Sequence, residues 1–170
     1  MKKYYALTQT GREADVYIFG DITSWEWYDS DVSSYTLSRE LQGLDVDFIN
    51  VHLNSFGGEV GEGLAIYNML RNHKAKVRTF CDGFACSIAS VIFMAGDERI
   101  MNSASLLMVH NAWMYTAGNS AQLRKDADDL DTITQASIAA YLSRVSITEK
   151  ELKKLLDEET WLLPADALEM

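Results

Sequence analysis

The amino-acid sequence predicts a single α/β domain, in which a parallel-rich β-sheet is flanked by helices and accompanied by a small second layer. Dense runs of β-branched and apolar residues, typical of buried strands, alternate along the chain with segments of helical periodicity. Such alternation indicates parallel strands joined by crossover helices. No repeat, low-complexity segment or linker divides the 170 residues, so residues 1–170 are expected to form one domain with a sizeable core.

The first half of the chain contains three predicted strands, at residues 15–19, 48–53 and 76–81, and two predicted helices, at residues 32–41 and 64–71. Asp31 or Ser33 is expected to cap the first helix. Trp25, Trp27 and Tyr28 precede that helix in an acidic, loop-like segment. These aromatic side chains would either form an interface with another subunit or cover the edge of the core.

The second half is predicted to be richer in helix, with helices at residues 87–95, 119–145, 149–158 and 165–170 and strands at residues 99–101 and 106–109. Asn119 or Ser120 caps the long helix, whose apolar residues recur every three or four positions. Thr148 and Glu151 fit a capping box, and Pro164 suits the first turn of the last helix. The last helix has no C-cap, which predicts a chain truncated inside it.

Composition excludes several classes of function. The net charge of −10 argues against binding to nucleic acid or to an anionic membrane surface. No apolar run is long enough to span a bilayer, and the N-terminus has no secretory h-region. Cys81 and Cys86 have no metal-type partners and are interpreted as buried free thiols in a reducing compartment. We therefore expect a cytoplasmic protein with no metal and no cofactor.

The chain is organised around Ser87, a small hydroxyl residue between a strand and an apolar helix. An Asp82-Gly83 turn is predicted to end the strand, and the buried helix then begins. Amides converge at the N-terminus of a helix and stabilise developing negative charge, which suits a nucleophile. On this stretch alone, an ordinary N-cap serine is the favoured interpretation.

Four glycines, Gly57, Gly58, Gly61 and Gly63, follow a predicted strand and open a helix. A nucleotide site is disfavoured because the spacing is not G-x-G-x-x-G, no lysine follows, and Glu59 and Glu62 would repel a phosphate. Adjacent glycines can instead turn their backbone amides outward as an anion site for a transient oxyanion. A purely structural tight turn is the alternative.

Three histidines are candidates for a general base. His52 lies inside a strand, where it is packed or faces outward, and His73 is at a helix end, where a cation offsets the helix dipole. His110 ends a buried strand, which is where open α/β sheets place functional groups. Since a serine nucleophile needs a base, and the base needs an orienting acid, His110 is the preferred candidate.

Three segments together resemble the Clp protease family of serine peptidases. Asn54-Ser55-Phe56-Gly57-Gly58 is similar to its N-S-P-G-G turn, and Gly83-Phe84-Ala85-Cys86-Ser87-Ile88-Ala89-Ser90 to its G-x-A-A-S-M-G-S segment. Met108-Val109-His110-Asn111 resembles its M-I-H-Q segment. Each segment alone is a weak signal, but the three in this order are specific, and the resemblance extends from Asp15 to the last residue.

The resemblance implies roles for particular residues. It makes Ser87 the nucleophile and His110 the general base, and it assigns the oxyanion hole to the amides of Gly57 or Gly58 and of Ile88. For the acid, Trp161 matches a phenylalanine of the family, which puts Glu159 at the acid position. Asp157 has the expected residue type two positions earlier, and Glu159 is the preferred candidate.

The resemblance also implies a polypeptide substrate and a homo-oligomeric ring, a heptamer or stacked heptamers, with the helix at 119–145 contributing contacts between rings. The N-terminal segment lacks the axial loop that the family uses to contact its ATPase, which argues against dependence on an ATPase unfoldase. Phe56 replaces the family's proline, and Cys86 replaces an alanine. The Trp25–Trp27 region and the Glu-Thr-Trp ending are more similar to the phage and prophage branch, which is linked to head maturation.

The expected function is therefore that of a serine endopeptidase with a Clp protease and crotonase-type fold. One alternative is a non-catalytic ring-forming capsid-assembly subunit, which the intact Ser87 and His110 pair disfavours. A crotonase-type acyl-coenzyme A enzyme is disfavoured by the lack of a basic site for the nucleotide phosphates. A serine–lysine peptidase using Lys74 or Lys76 is a weaker alternative, because nothing marks either lysine as a base.

Overall fold

A computed structural model describes residues 5–170 of the chain. The predicted absence of a secretory signal concerns the N-terminal segment. Residues 1–4 of that segment lie outside the described residues. The helices are α1 (Ser34–Leu41), α2 (Val60–Asn72), α3 (Ile88–Phe93), α4 (Ser120–Leu142), α5 (Glu149–Asp157) and α6 (Pro164–Leu168). The strands are β1 (Tyr5–Thr10), β2 (Glu13–Ile18), β3 (Phe48–Ser55), β4 (Lys76–Cys86), β5 (Glu98–Met101), β6 (Leu106–Val109) and β7 (Thr160–Leu162).

The described strands form one sheet of seven strands with the order β1-β2-β3-β4-β6-β7. Strands β2, β3 and β4 are parallel neighbours, while β1 and β7 pair antiparallel at the two edges. The sheet branches at β4, because residues 78–81 pair with β5 and residues 84–86 pair with β6. The parallel-rich α/β prediction is confirmed, whereas all seven described strands belong to one sheet and none forms a second layer.

Strand β4 continues through Asp82 and Gly83, so the turn predicted there is wrong. Asn54 explains the difference. Its Oδ1 accepts the Phe84 amide at 3.1 Å, and a Cβ at Gly83 would lie 2.5 Å from that oxygen. Gly83 therefore allows close contact with the neighbouring strand and does not mark a change of chain direction.

The core lies between the sheet and its helices. In β2, Ala14, Val16 and Ile18 are fully buried and alternate with half-buried residues on the other face. Every residue of α3 is buried, which matches the continuous apolar run in its sequence. This burial fixes the N-terminus of α3 against the carboxyl end of β4.

The predicted helix caps are largely confirmed. Ser33 accepts the Thr36 amide at the start of α1, and Asn119 and Thr148 form capping boxes at α4 and α5. Helix α4 ends at Leu142, three residues earlier than predicted. Strands β1 and β7 were not predicted, and no described helix is long and apolar enough to cross a membrane.

Three aromatic residues, Trp25, Trp27 and Tyr28, are 72%, 81% and 74% exposed. They do not cover the edge of the core, so that interpretation is wrong, and their role as a subunit interface stays a prediction. Cys81 and Cys86 are buried free thiols, as predicted. Burial raises the pKa of Cys86 to about 11, which keeps this thiol protonated and unreactive at neutral pH.

Candidate active site

Ser87 lies between the end of β4 and the start of α3, with a backbone φ of 54° and ψ of −129°. A positive φ is unfavourable for a residue with a side chain, and such outliers cluster at functional sites. The Ser87 side chain makes no capping hydrogen bond to α3. Instead its Oγ lies 2.7 Å from His110 Nε2, so the N-cap interpretation of this serine is wrong.

The sheet brings these two residues together. Because β4 and β6 are parallel, their carboxyl ends meet at the same edge, and His110 directly follows β6. The Ser87 amide donates to the Met108 carbonyl at 2.8 Å, which continues the strand pairing to the serine itself. Residues 23 positions apart thus share one hydrogen bond.

His110 is half-buried, and this burial lowers the pKa of its imidazole below the ordinary value of 6.5. The negative charge of Glu159 opposes that effect and raises the pKa by a smaller amount. The imidazole is therefore neutral at pH 7. In the tautomer with Nε2 unprotonated, it can accept the Ser87 hydroxyl proton.

The two candidate acids occupy different environments. Asp157 Oδ1 accepts a hydrogen bond from Asn111 Nδ2 at 2.8 Å, so its carboxylate is tied to the residue that follows His110. Glu159 lies between α5 and β7 with a positive φ of 48°. It is the carboxylate whose charge acts on His110, although the described contacts include no hydrogen bond between them.

The glycine turn lies directly against the nucleophile. Gly57 and Gly58 have φ values of 103° and 149°, and a Cβ at Gly57 would lie 2.7 Å from Ser87 Cβ. The Gly57 amide donates to Ser55 Oγ at 3.0 Å. The Gly58 amide has no acceptor among the described hydrogen bonds, and the Ile88 amide opens the first turn of α3, where no intrahelical acceptor exists. These two amides remain for an oxyanion.

A groove of about 640 Å³ contains Ser87 and His110. Its aromatic walls are formed by exposed side chains of Trp27, Tyr28, Phe56 and Trp113. Its charged lining residues are Asp21, Asp31 and Glu59, with no lysine or arginine. The Ser24 hydroxyl, and to a smaller extent the Thr23 hydroxyl, donates to Glu59 Oε1 and lowers the pKa of Glu59, which keeps this carboxylate ionised.

The other two histidines lie outside the groove. His52 Nδ1 is 2.8 Å from Asp82 Oδ2, and its ring stacks between Tyr17 and Phe80. His73 Nδ1 accepts the Ala75 amide at 3.0 Å, and burial lowers the pKa of His73. A neutral acceptor cannot offset the helix dipole, so the interpretation of His73 as a cation is wrong.

Neither lysine of the serine–lysine alternative lines the groove. Lys74 pairs with Asp45 at 2.9 Å, and Lys76 pairs with Glu98 at 2.5 Å. The described residues also contain no cluster of His, Cys, Asp and Glu that could hold a metal ion. The Ser87 and His110 pair is therefore the arrangement in this groove that can perform nucleophilic chemistry.

The fold and this site combine a mostly parallel α/β sheet with a serine on a strained strand-to-helix turn, a histidine at hydrogen-bond distance and a glycine turn beside them. The sequence model for Clp protease matches residues 30–170. The chain therefore belongs to the Clp protease family.

Curated relatives support this membership. The chain is 32% identical over 122 residues to an ATP-dependent Clp protease proteolytic subunit of Deinococcus radiodurans, covering 71% of this chain and 60% of the relative. It is 25% identical over 163 residues to a protein of the same name from Borreliella afzelii, covering 92% of this chain and 79% of the relative. A third relative, ATP-dependent Clp protease proteolytic subunit 1 of Borreliella burgdorferi, is 26% identical over 122 residues, covering 71% of this chain and 63% of that protein.

Proposed function

We propose that this chain is a serine endopeptidase in which Ser87 is the nucleophile and His110 is the general base. The observation that carries the proposal is the 2.7 Å distance between Ser87 Oγ and His110 Nε2 at the carboxyl edge of a parallel sheet. The lowered pKa of His110 supports it, because the neutral imidazole is the form that accepts a proton.

In the proposed reaction, Ser87 Oγ attacks the carbonyl carbon of a peptide bond while its proton passes to His110 Nε2. The carbonyl oxygen becomes an oxyanion, which the amides of Gly58 and Ile88 stabilise. His110 then gives the proton to the leaving amine, and an acyl-enzyme remains. Water deprotonated by His110 hydrolyses this ester and restores the serine.

Glu159 is the proposed acid, since its charge raises the pKa of His110 and thus stabilises the imidazolium that forms during attack. Asp157 is assigned a different task. Through Asn111 Nδ2 it holds the segment directly after His110, which orients the base without contact with the reacting atoms.

The proposed substrate is a polypeptide, because the groove contains both proposed catalytic residues and its aromatic walls suit apolar side chains. The proposal includes a homo-oligomeric ring, with Trp25, which is exposed and does not line the groove, at a subunit interface. Its narrower form is a cytoplasmic phage or prophage protease that processes capsid or scaffold proteins. The relatives are named as subunits of ATP-dependent proteases. The peptide-cleavage test is therefore also run with an added ATPase.

The test is hydrolysis of fluorogenic peptides by wild type, by Ser87→Ala and by His110→Ala, with Ser103→Ala as a matched control on an exposed loop. We expect cleavage by wild type and the control, and loss of turnover in both site variants, since the pair acts as a unit. Cleavage that persists in Ser87→Ala would refute the assignment. Folded wild type that cleaves no peptide, with and without an added Clp ATPase, would favour a non-catalytic ring subunit.

A further inference from the structure

The backbone of Ser87 needs to be held in place. Its positive φ is unfavourable for serine, and such a conformation persists only where surrounding contacts determine it. On one side, the Ser87 amide donates to Met108 O at 2.8 Å. On the other side, the Ser87 carbonyl accepts from the Ser90 amide at 3.0 Å and from Ser90 Oγ at 2.6 Å. The carbonyl is thus fixed mainly through Ser90.

Ser90 is itself held by Tyr141. The two side chains are buried, at 0% and 3% exposure, and Ser90 Oγ lies 2.6 Å from the Tyr141 hydroxyl. A carbonyl oxygen only accepts, so the single hydroxyl proton of Ser90 is used on the Ser87 carbonyl. Ser90 must then accept from Tyr141. Hydrogen-bond donation therefore runs in one direction, from the Tyr141 hydroxyl to Ser90 Oγ and from the Ser90 hydroxyl to the Ser87 carbonyl.

We propose that Ser90 and Tyr141 are positioning residues that hold Ser87 in its attacking conformation. The inference rests on the proposed function of Ser87. Tyr141 belongs to α4 and is 51 residues from Ser90 in α3, so two helices are joined at the carbonyl of the nucleophile. Without the phenol, the Ser90 hydroxyl loses the donor that fixes its rotation, and its bond to the Ser87 carbonyl weakens. Ser87 Oγ then spends less time within reach of His110.

A second tyrosine provides a matched control. The Tyr67 hydroxyl lies 3.2 Å from Ser143 Oγ, and Ser143 Oγ donates to the Ala140 carbonyl at 2.7 Å. The same proton argument gives hydrogen bonds that run from Tyr67 in α2, through Ser143 directly after α4, to a carbonyl of α4. These hydrogen bonds end on Ala140 and not on the nucleophile. Loss of the Tyr67 hydroxyl should affect packing at α4 without affecting Ser87.

The experiment measures the second-order rate at which a fluorophosphonate labels Ser87, from pH 5 to pH 9, together with the thermal unfolding midpoint. The variants are Tyr141→Phe, Ser90→Ala, their combination, and Tyr67→Phe. We expect Tyr141→Phe to slow labelling about fivefold at every pH, the factor that loss of one ordinary hydrogen bond produces. The pH midpoint should not move, because the Tyr141 hydroxyl is hydrogen-bonded to Ser90 and not to His110.

The double variant separates positioning from general stability. If Tyr141 acts through Ser90, then Ser90→Ala and the combination label equally slowly, and Tyr67→Phe labels at the wild-type rate. Wild-type labelling in folded Tyr141→Phe, or equal slowing in Tyr67→Phe, overturns the inference. If Tyr141→Phe does not fold, the rate for Ser90→Ala decides instead, and an unchanged rate overturns it. Absence of labelling in wild type would instead refute the proposed function.

Discussion

Gly57→Ala tests the arrangement of the glycine turn against the nucleophile. The new Cβ would lie 2.7 Å from Ser87 Cβ and 2.8 Å from the Cys86 carbonyl oxygen, distances that require something to move. It would also lie 3.2 Å from the Ile88 nitrogen, an amide proposed for the oxyanion hole. The neighbours are mainly backbone, so the turn and the nucleophile must separate.

The size of the effect follows from the backbone. At a φ of 103°, alanine is strained by about 1–3 kcal/mol, which for a chain of this size lowers the unfolding midpoint by roughly 3–10 °C. Displacement of one oxyanion donor costs about a hundredfold in rate. We therefore expect folded Gly57→Ala to lose about a hundredfold in peptide turnover, measured at a temperature well below its unfolding midpoint.

Gly61→Ala is the control for this substitution. A Cβ at Gly61 meets no atom within 4 Å, and the residue is in α2, where alanine favours the helix by about 0.5–1 kcal/mol. The control should be slightly more stable and as active as wild type. Gly57→Ala that turns over at the wild-type rate would refute the placement of the turn. Equal losses in both variants would refute the argument from close contact.

Three further predictions concern charge. Activity should rise with pH with a midpoint below 6.5, because burial lowers the pKa of His110 and the base must be unprotonated; a midpoint above 7 in a pH–rate profile would contradict this. Glu159→Gln should lower the midpoint of the pH–rate profile further and reduce kcat by at least tenfold, whereas Asp157→Asn should leave the midpoint unchanged. The reverse pattern would assign the acid role to Asp157. Glu59→Gln should reduce the preference for lysine-containing over glutamate-containing peptides about threefold in kcat/KM, because an exposed ion pair contributes up to about 1 kcal/mol. Glu149→Gln, outside the groove, is the control. An unchanged preference in Glu59→Gln would contradict an electrostatic role for the groove.

Much of the fold could be predicted from local pattern. Strands β3 and β4 and helices α2 and α4 have long apolar runs or clear helical periodicity, and the predicted segments lie within or close to the observed ones. Strands β1 and β7 could not be recognised in this way. Both pair antiparallel at the edges of the sheet, and β7 has three residues, too few for a periodic signal.

The candidate site was only partly predictable, for a related reason. Ser87, His110 and the glycine turn carry local motifs, and the parallel sheet brings the motifs together. The contact between Ser90 and Tyr141 joins residues far apart in sequence, and a buried hydroxyl pair has no sequence pattern. Neither did the sequence indicate that the Gly57 amide is used by Ser55. Such assignments depend on hydrogen bonds, which require coordinates.

The central claim is that Ser87 is an activated nucleophile, and covalent labelling tests it most directly. Wild type and Ser87→Ala are treated with a fluorophosphonate and analysed by intact mass. The account predicts one adduct per chain in wild type, located on Ser87 by peptide mapping, and none in the variant. An adduct that persists in folded Ser87→Ala, or folded wild type that stays unlabelled across pH 5–9, would contradict it.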